Sequence, residues 1–383
     1  MIKFSELSEC LACLGTSLEQ VLDLGSQPLA NNFTSNSMPA EYFPLALNFC
    51  HACSHLQLTH SVNRENLFDN YLYASGTSNT LKDDFKDFAT ELTKIYGAKT
   101  VVDIACNDGS QLDEFKKLGW GTLGIDPAKN LFELSTKKHI VIRDYLRYEH
   151  AKFIKSDLVI AQNVIAHVDK PGDMLTSGLS IAPIMYAQVS QANMISRGEF
   201  DTIYHEHLSF FSTLSFWTLA KRTNHSLVGF SYRNIHGVSQ LFEVHRSGSA
   251  VEKPRGLDFA SLQEFSRKTS HTIQQLNIIL AAERKSGATL IGLGASAKGM
   301  TVLNALDETL DFFLDDSPLK QGLFTPGKGV PVMSFDFLKD LHKPIVFVLT
   351  AWNFEKELKS RLDSFENIKN FKLLQYFPEV IIK

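Results

Sequence analysis

The stretch DTIYHEHL, residues 201–208, contains four consecutive side chains that can move or share a proton: Tyr204, His205, Glu206 and His207. A histidine exchanges protons near neutral pH, and a tyrosine or carboxylate beside it can stabilise the charge that develops. The stretch therefore predicts an acid/base site. Two alternatives stay open: a histidine metal site, disfavoured because helical ligand pairs usually lie four residues apart, and a buried polar turn with Asp201 as a helix cap.

We expect this stretch to begin a helix, on which Tyr204 and His207 share one face. His205 then points elsewhere, which favours a structural role. Consecutive side chains cannot all reach one pocket, so Glu206 is expected to act through a turn or from behind the residues that line the pocket.

Four of the five cysteines form two Cys-x-x-Cys pairs with 36 residues between them: Cys10, Cys13, Cys50 and Cys53. Paired thiolates at this spacing suit a tetrahedral four-sulfur zinc site. We expect a structural zinc ion, because four protein ligands leave no open coordination position. Two disulfides are the alternative, disfavoured in a reducing compartment.

The composition excludes several classes of protein. A net charge of −4 on 383 residues argues against a nucleic-acid binder that neutralises phosphates. No apolar run reaches the roughly 18 residues of a membrane span, and the first residues lack a signal-peptide pattern. We expect a cytoplasmic protein of two or three domains, present as a monomer or weak dimer.

Three regions with different patterning position these side chains. Residues 1–75 combine short alternating strands with Pro and Asn turns, which predicts a small zinc-binding module. Residues 76–256 repeat strand, loop and helix, which predicts a central, doubly wound, Rossmann-like domain. Residues 257–383 continue with a connecting helix and a second Rossmann-like run. The predicted fold class is α/β.

The first strand–turn–helix unit of the central region, VVDIACNDGSQL, predicts a nucleotide site. Asp103 ends the strand, and the turn contains Asn107, Asp108 and Gly109. The next strand ends in Asp126 and Pro127, where a carboxylate can bind two ribose hydroxyls. The turn lacks a full G-x-G-x-x-G pattern, which favours S-adenosylmethionine over NAD. A turn without a ligand stays open.

Over nearly its whole length the sequence resembles the three-domain nucleotide-sugar C-methyltransferases. The shared segments are the two cysteine pairs, YLYASGTS, VVDIACNDGSQL, LGIDPAKN, NVIAHV, FDTIYHEHLSFFS, HGVSQLFEVHR and GLGASAKGMTVLN. Those enzymes use S-adenosylmethionine to methylate C3 of a nucleotide-linked 4-keto-deoxysugar. The resemblance implies the same methyl donor, a structural zinc ion and a nucleotide-linked keto-sugar substrate for this chain.

The resemblance also implies residue roles. His207 is the expected base for the C3 proton, with Tyr204 and Glu206 beside it. His167 is expected to contact the ketone or its enolate, and a structural loop role for it stays open. The remaining implied contacts are Tyr73 near the sugar, Tyr71 as its substitute, and Asn163 at the cofactor. Family members commonly have an acid in the strand IMYAQVSQANMI, where this sequence has Gln188 or Gln191, and Ala105 and Cys106 alter the usual small-residue turn.

The C-terminal segment LIGLGASAKG leads from a strand into a helix through a glycine-containing turn. Ser296 and Lys298 at that helix N-terminus suit the diphosphate of a sugar nucleotide. A domain that only braces the active site is the alternative. An NAD-linked oxidoreductase is a further one, weakened because Asp315 and Asp316 are not convincingly placed to bind a ribose.

Overall fold

The computed structural model describes residues 4–37, 40–68, 75–77, 79–190, 194–235, 237–341, 343–365, 368 and 371–383. Within them the strands form four sheets, of two, seven, four and six strands. Among these residues, no helix combines the length and apolar character that crossing a membrane needs.

The N-terminal region is built from short antiparallel strands and one helical turn. These are β1 (Phe4–Glu6), β2 (Leu18–Gln27), β3 (Phe43–Cys50), β4 (Leu56–Leu58), β5 (His60–Val62) and α1 (Glu65–Phe68). β2 and β3 form a long antiparallel pair, and β4 lies on the other side of β3. The first Cys-x-x-Cys pair precedes β2, whereas the second connects β3 to β4.

The central region alternates strands and helices, as the repeated pattern predicts. Its elements are α2 (Asn79–Tyr96), β6 (Thr100–Ile104), α3 (Ser110–Lys117), β7 (Gly121–Ile125), α4 (Lys129–Ser135), β8 (Ile140–Ile142), α5 (Tyr148–Ala151), β9 (Leu158–Gln162), α6 (Pro171–Ile181), β10 (Ile184–Val189), α7 (Met194–Arg197), β11 (Ser209–Phe210), α8 (Thr213–Arg222), β12 (Ser226–Arg233) and β13 (Ser239–His245). The sheet order is β12-β13-β10-β9-β6-β7-β8. β6 to β10 are parallel, and the order reverses between β6 and β9, where a doubly wound sheet binds its ligands.

The C-terminal region repeats this architecture after a long helix. Its elements are α9 (Phe259–Lys285), β14 (Thr289–Leu293), α10 (Ala297–Ala305), β15 (Phe312–Leu314), β16 (Val332–Met333), β17 (Ile345–Leu349), α11 (Glu355–Asp363), β18 (Phe371–Gln375) and β19 (Ile381–Ile382). The sheet order is β16-β15-β14-β17-β18-β19, parallel except for β19. The predicted fold class is confirmed; the boundaries near residues 75 and 256 stay predictions.

The strand β11 joins two regions. It follows DTIYHEHL directly, yet it pairs with β4 of the N-terminal sheet rather than with the central sheet. The Leu58 N–H also donates to the Leu208 carbonyl at 3.0 Å. The segment with the predicted acid/base residues is therefore attached to the cysteine-containing module.

Candidate active site

A cavity of about 1380 Å³ lies between the carboxyl ends of the central and C-terminal parallel strands. Many predicted site residues line it: Asp103, Asn107, Asp126, Pro127, Asn163, His167, Tyr204, His207, Ser296 and Lys298. Of the other described candidates, Asp108, Gly109 and Glu206 do not. Tyr71 and Tyr73 lie outside the described residues. The cavity brings together side chains far apart in the sequence.

The stretch DTIYHEHL is a turn, so the prediction of a helix start is wrong. Residues Phe200–Thr202 form one turn of 3-10 helix, and the His207 N–H then donates to the Tyr204 carbonyl at 2.9 Å. The helix α8 begins only after Ser212, whose side chain accepts the Ser215 N–H in a capping box. Pairing of β11 with β4 competes with helix formation here. The tight turn nevertheless brings Tyr204 and His207 side by side.

Three rings form one group at the cavity wall. The ring centroids of Tyr204 and His207 lie 4.0 Å apart, and those of His167 and His207 lie 5.0 Å apart at 70°. Burial lowers the pKa of His167 to about 4. Hydrogen bonds with the backbone of Glu206 and Asn163 raise this pKa, but by less than burial lowers it. At neutral pH His167 is therefore an uncharged imidazole, which can donate one hydrogen bond.

The orientation of His207 is defined by its own main chain. Its Nδ1 lies 2.6 Å from the Thr202 carbonyl oxygen. A carbonyl can only accept, so Nδ1 carries the hydrogen and Nε2 keeps its lone pair. The side chain is 5% exposed. His207 therefore has the tautomer that a general base acting through Nε2 requires.

The two residues directly before His207, Glu206 and His205, face away from the cavity. Glu206 accepts a hydrogen bond from the Asn31 side chain at 3.0 Å, and burial raises the pKa of this carboxyl group. His205 packs edge-on against Phe43, and burial lowers its pKa to about 4. Both side chains contact the N-terminal module, which agrees with the structural expectation for His205.

The loop after β6 has a sharp, fixed backbone. Ala105, Asn107 and Gly109 have positive φ angles of 62°, 53° and 84°. The Asp126 carboxylate accepts the Asn107 N–H at 2.8 Å and the Ala128 N–H at 2.8 Å. Burial raises the pKa of Asp126, whereas these backbone hydrogen bonds lower it. Asp126 thus braces the loop while its carboxylate borders the cavity.

The side chains of this loop bind residues 75 and 76, which precede α2 in the sequence. The Asn107 oxygen accepts the Ser75 N–H at 2.9 Å, and the Asp108 carboxylate accepts the Gly76 N–H at 2.8 Å. Asp108 does not line the cavity, so it organises the cavity loop from behind the cavity surface.

Asp103, at the end of β6, is 4% exposed. Burial, and then repulsion from Asp126, raises the pKa of its carboxyl group well above the usual value.

Several buried amide atoms at the cavity wall have no hydrogen-bond partner among the described residues. They are Gln111 Oε1, Gln162 Nε2 and Asn163 Oδ1, and all three residues line the cavity. Leaving such an atom unsatisfied costs about 1–3 kcal/mol, so a polar ligand there is favoured. We did not predict Gln111 and Gln162 from the sequence, although Gln162 ends the buried strand β9, where ligands of such sheets bind.

The C-terminal wall contains a buried ammonium group. Lys298 Nζ lies 4.2 Å from the centroid of the Trp352 indole and has no hydrogen-bond partner among the described residues. It lies in the first turn of α10, where Ser296 is the N-cap and accepts the Gly299 N–H at 3.1 Å. A helix N-terminus and an ammonium group without a hydrogen-bond acceptor among the described residues together favour an anion, although the Glu199 carboxylate already interacts with the Lys298 charge.

The four paired cysteines converge on one point. Cys10 and Cys53 have Sγ atoms 3.6 Å apart, as do Cys13 and Cys50, and all four sulfurs lie within 4.8 Å of one another. A disulfide needs about 2.05 Å, so the disulfide alternative is wrong. Tetrahedral zinc with 2.3 Å bonds to sulfur gives sulfur–sulfur distances of about 3.8 Å. The four thiols fit a zinc ion.

Two family models match the chain and together cover more than half of it. One is described as the C-methyltransferase C-terminal domain and matches residues 238–378; the other, whose description proposes zinc binding, matches residues 10–68. The chain is thus similar to C-methyltransferases over its C-terminal part and to a zinc-binding domain over its N-terminal part, and it is a methyltransferase. This similarity favours methyl transfer over the NAD-linked alternative.

A curated relative with a named activity agrees with this class. The chain is 26% identical over 388 residues to the C-methyltransferase NovU of Streptomyces niveus, covering 92% of this chain and 91% of that protein. Among solved structures, magnesium protoporphyrin IX methyltransferase of Synechocystis PCC 6803 with bound SAM is 14% identical, covers 46% of this chain and 88% of that one, and has a TM-score of 0.36. An S-adenosylmethionine-dependent methyltransferase from Clostridium acetobutylicum ATCC 824 has 9% identity, coverages of 45% and 94%, and the same score.

Proposed function

We propose that this protein transfers a methyl group from S-adenosylmethionine to the carbon beside the ketone of a nucleotide-linked 4-keto-deoxysugar, at C3. The main support is the His207 imidazole, which borders the cavity with Nδ1 held by a carbonyl, so that Nε2 is the ring nitrogen with the lone pair in the neutral ring. Methylation of the carbon beside a ketone requires such a base, because the C–H bond must lose its proton before the carbon can attack the methyl group.

The methyl donor binds at the central sheet. Asp126 suits the ribose hydroxyls, and the unsatisfied atoms of Gln162 and Asn163 suit the polar groups of the methionine part. When bound, S-adenosylmethionine supplies an electrophilic methyl group on a sulfonium. The protein's task is to align that methyl group with the substrate carbon and to exclude water.

The base then acts on the sugar. His207 Nε2 takes the C3 proton, and the Thr202 carbonyl stabilises the imidazolium through Nδ1–H. The electrons of the C–H bond move into the enolate, whose oxygen accepts a hydrogen bond from the Tyr204 hydroxyl or the neutral His167. This electron pair then forms the new bond between C3 and the methyl carbon, while the bond between the methyl carbon and sulfur breaks. The family resemblance assigns a further sugar contact to Tyr73, or to Tyr71 in its place, both outside the described residues.

The nucleotide diphosphate binds at the C-terminal wall. Lys298 supplies an ammonium group that lacks an anionic hydrogen-bond partner among the described residues, and the backbone N–H groups at the start of α10 add their partial charge. The substrate thus spans the cavity, with its sugar near His207 and its diphosphate near Lys298.

The test is transfer of a labelled methyl group to a panel of 4-keto-deoxysugar nucleotides, with the corresponding 4-hydroxy compounds as controls. We expect methylation of the ketones alone. Solvent deuterium should enter at the carbon beside the ketone when S-adenosylhomocysteine replaces the donor. If the protein binds S-adenosylmethionine but methylates none of these ketones, the substrate assignment is wrong.

A further inference from the structure

The turn that precedes His207 is held by two residues of the C-terminal region. The Asp201 carboxylate accepts, at one oxygen, the Trp352 indole N–H at 2.7 Å and the Tyr376 hydroxyl at 2.8 Å. All three side chains are buried. Asp201 therefore does not act as the helix cap that was one expectation. It links the turn to Trp352, shortly before α11, and to Tyr376, directly after β18.

Asp201 is one residue away from the group that orients the base. Its neighbour Thr202 provides the carbonyl that accepts His207 Nδ1–H at 2.6 Å. On the other side, the Ile203 carbonyl accepts the hydroxyl of Thr301, in α10, at 3.0 Å. The residues on both sides of Thr202 are thus attached to the C-terminal region, Asp201 through its side chain and Ile203 through its carbonyl. These contacts restrict the direction of the Thr202 carbonyl.

We propose that Asp201 is a positioning residue: through it the C-terminal region sets the direction of the Thr202 carbonyl, and hence the tautomer and aim of His207. The inference rests on the proposed function, in which His207 is the base. Trp352 extends the link, because its indole also lies under Lys298 at 4.2 Å. Trp352 therefore contacts both Lys298, at the proposed anion site, and Asp201, the residue proposed to position the base.

The test compares variants at both ends of the contact. Asp201→Leu removes the acceptor, and Tyr376→Phe removes one donor without changing the ring. Asp201→Asn keeps an oxygen, and one oxygen suffices because both donors meet the same atom. Tyr186→Phe is the matched control, since it removes a buried tyrosine hydroxyl that bonds Tyr96 at 2.9 Å, away from the cavity.

We expect kcat and the deuterium-exchange rate to fall roughly ten- to a hundred-fold in Asp201→Leu and several-fold in Tyr376→Phe. The KM for S-adenosylmethionine should stay unchanged. Asp201→Asn should recover most of the rate, and Tyr186→Phe should keep all of it. Wild-type rates in both Tyr376→Phe and Asp201→Leu would overturn the proposal. So would a Tyr186→Phe loss equal to that of Tyr376→Phe.

A second measurement needs no substrate. Nitrogen-15 NMR of the histidine side chains, with the His207 signal assigned by its absence in His207→Gln, reports which ring nitrogen carries the hydrogen. Wild type should show Nδ1–H, and Tyr376→Phe should show a mixture of tautomers. An unchanged spectrum in Tyr376→Phe would contradict the positioning role. A changed spectrum in a protein that methylates no keto-sugar would refute the substrate assignment but not the role of Asp201.

Discussion

Asp126 and Asp315 make the same two hydrogen bonds in two different domains. Each directly follows the second strand of its Rossmann-like unit. Each accepts one N–H from the loop after the first strand and one from the residue two positions after the aspartate itself. The donors are Asn107 and Ala128 for Asp126, and Ala295 and Ser317 for Asp315, all at 2.8 Å. The two halves of the cavity are therefore braced in the same way.

Asp126→Asn should weaken binding of S-adenosylmethionine, whereas Asp315→Asn should weaken binding of the sugar nucleotide. The two N–H groups meet different oxygens, and asparagine keeps only one of them, so each change removes one charge-assisted hydrogen bond worth about 1.5–3 kcal/mol. Since the loop that it braces forms the ligand site, we expect roughly a ten- to hundred-fold rise in the respective Kd. Isothermal titration calorimetry of both variants with both ligands measures this. Each variant is the control for the other, and equal losses for both ligands would contradict separate sites.

His207→Gln should abolish both methyl transfer and deuterium exchange, because no other group replaces Nε2 as the base. A loss of about a hundred- to ten-thousand-fold is typical for a general base. The Kd of S-adenosylmethionine should stay within about two-fold. His205→Gln, its matched control two residues away, should keep the exchange rate if folded. Exchange at the wild-type rate in His207→Gln would show that another residue removes the proton.

Removal of zinc should lower activity even though the metal is distant from the chemistry. Cys50 and Cys53 connect β3 to β4, and β4 pairs with β11, directly after His207. A chelator should therefore reduce both kcat and thermal stability, since metal binding in such modules is coupled to folding. Metal analysis should give one zinc per chain, and zinc added back should restore activity. Full activity in metal-free protein would contradict this coupling.

The buried histidines should make the protein less stable in acid. Burial lowers the pKa of His205 to about 4 from 6.5, so the unfolded chain binds a proton in this range that the folded chain does not. Stability from this group is complete above pH 6.5 and is lost as the pH falls towards 4, by up to about 1.4 kcal/mol per pH unit.

Urea unfolding of wild type and His205→Gln at pH 7.5, 6 and 5 tests this. Relative to wild type, the variant should gain stability as the pH falls, because glutamine stays neutral. His271→Gln, at an exposed position on α9, is the control and should follow wild type. Zinc ligands titrate in all three proteins, so their effect cancels in the differences. A constant difference between His205→Gln and wild type would contradict the prediction.

Much of this molecule was predictable from local patterns. Repeated strand–loop–helix units predict the two parallel sheets, because apolar runs and glycine turns determine secondary structure over a few residues. The Cys-x-x-Cys spacing predicts the zinc site for the same reason. Leu14 and Ser54, each directly after a pair, adopt positive φ angles of 63° and 56° that close the two turns.

Contacts between distant residues were not predictable in this way. DTIYHEHL reads as a helix start, yet pairing of β11 with β4, about 150 residues earlier, makes it a turn. Asp201 reads as a cap, but Trp352 and Tyr376 reach it from the C-terminal region. The sequence alone determined which residues could do the chemistry, since that depends on side-chain type and local spacing. Only the tertiary structure decided that His207 faces the cavity while Glu206 and His205 face the zinc-binding module, because packing between three regions sets those directions.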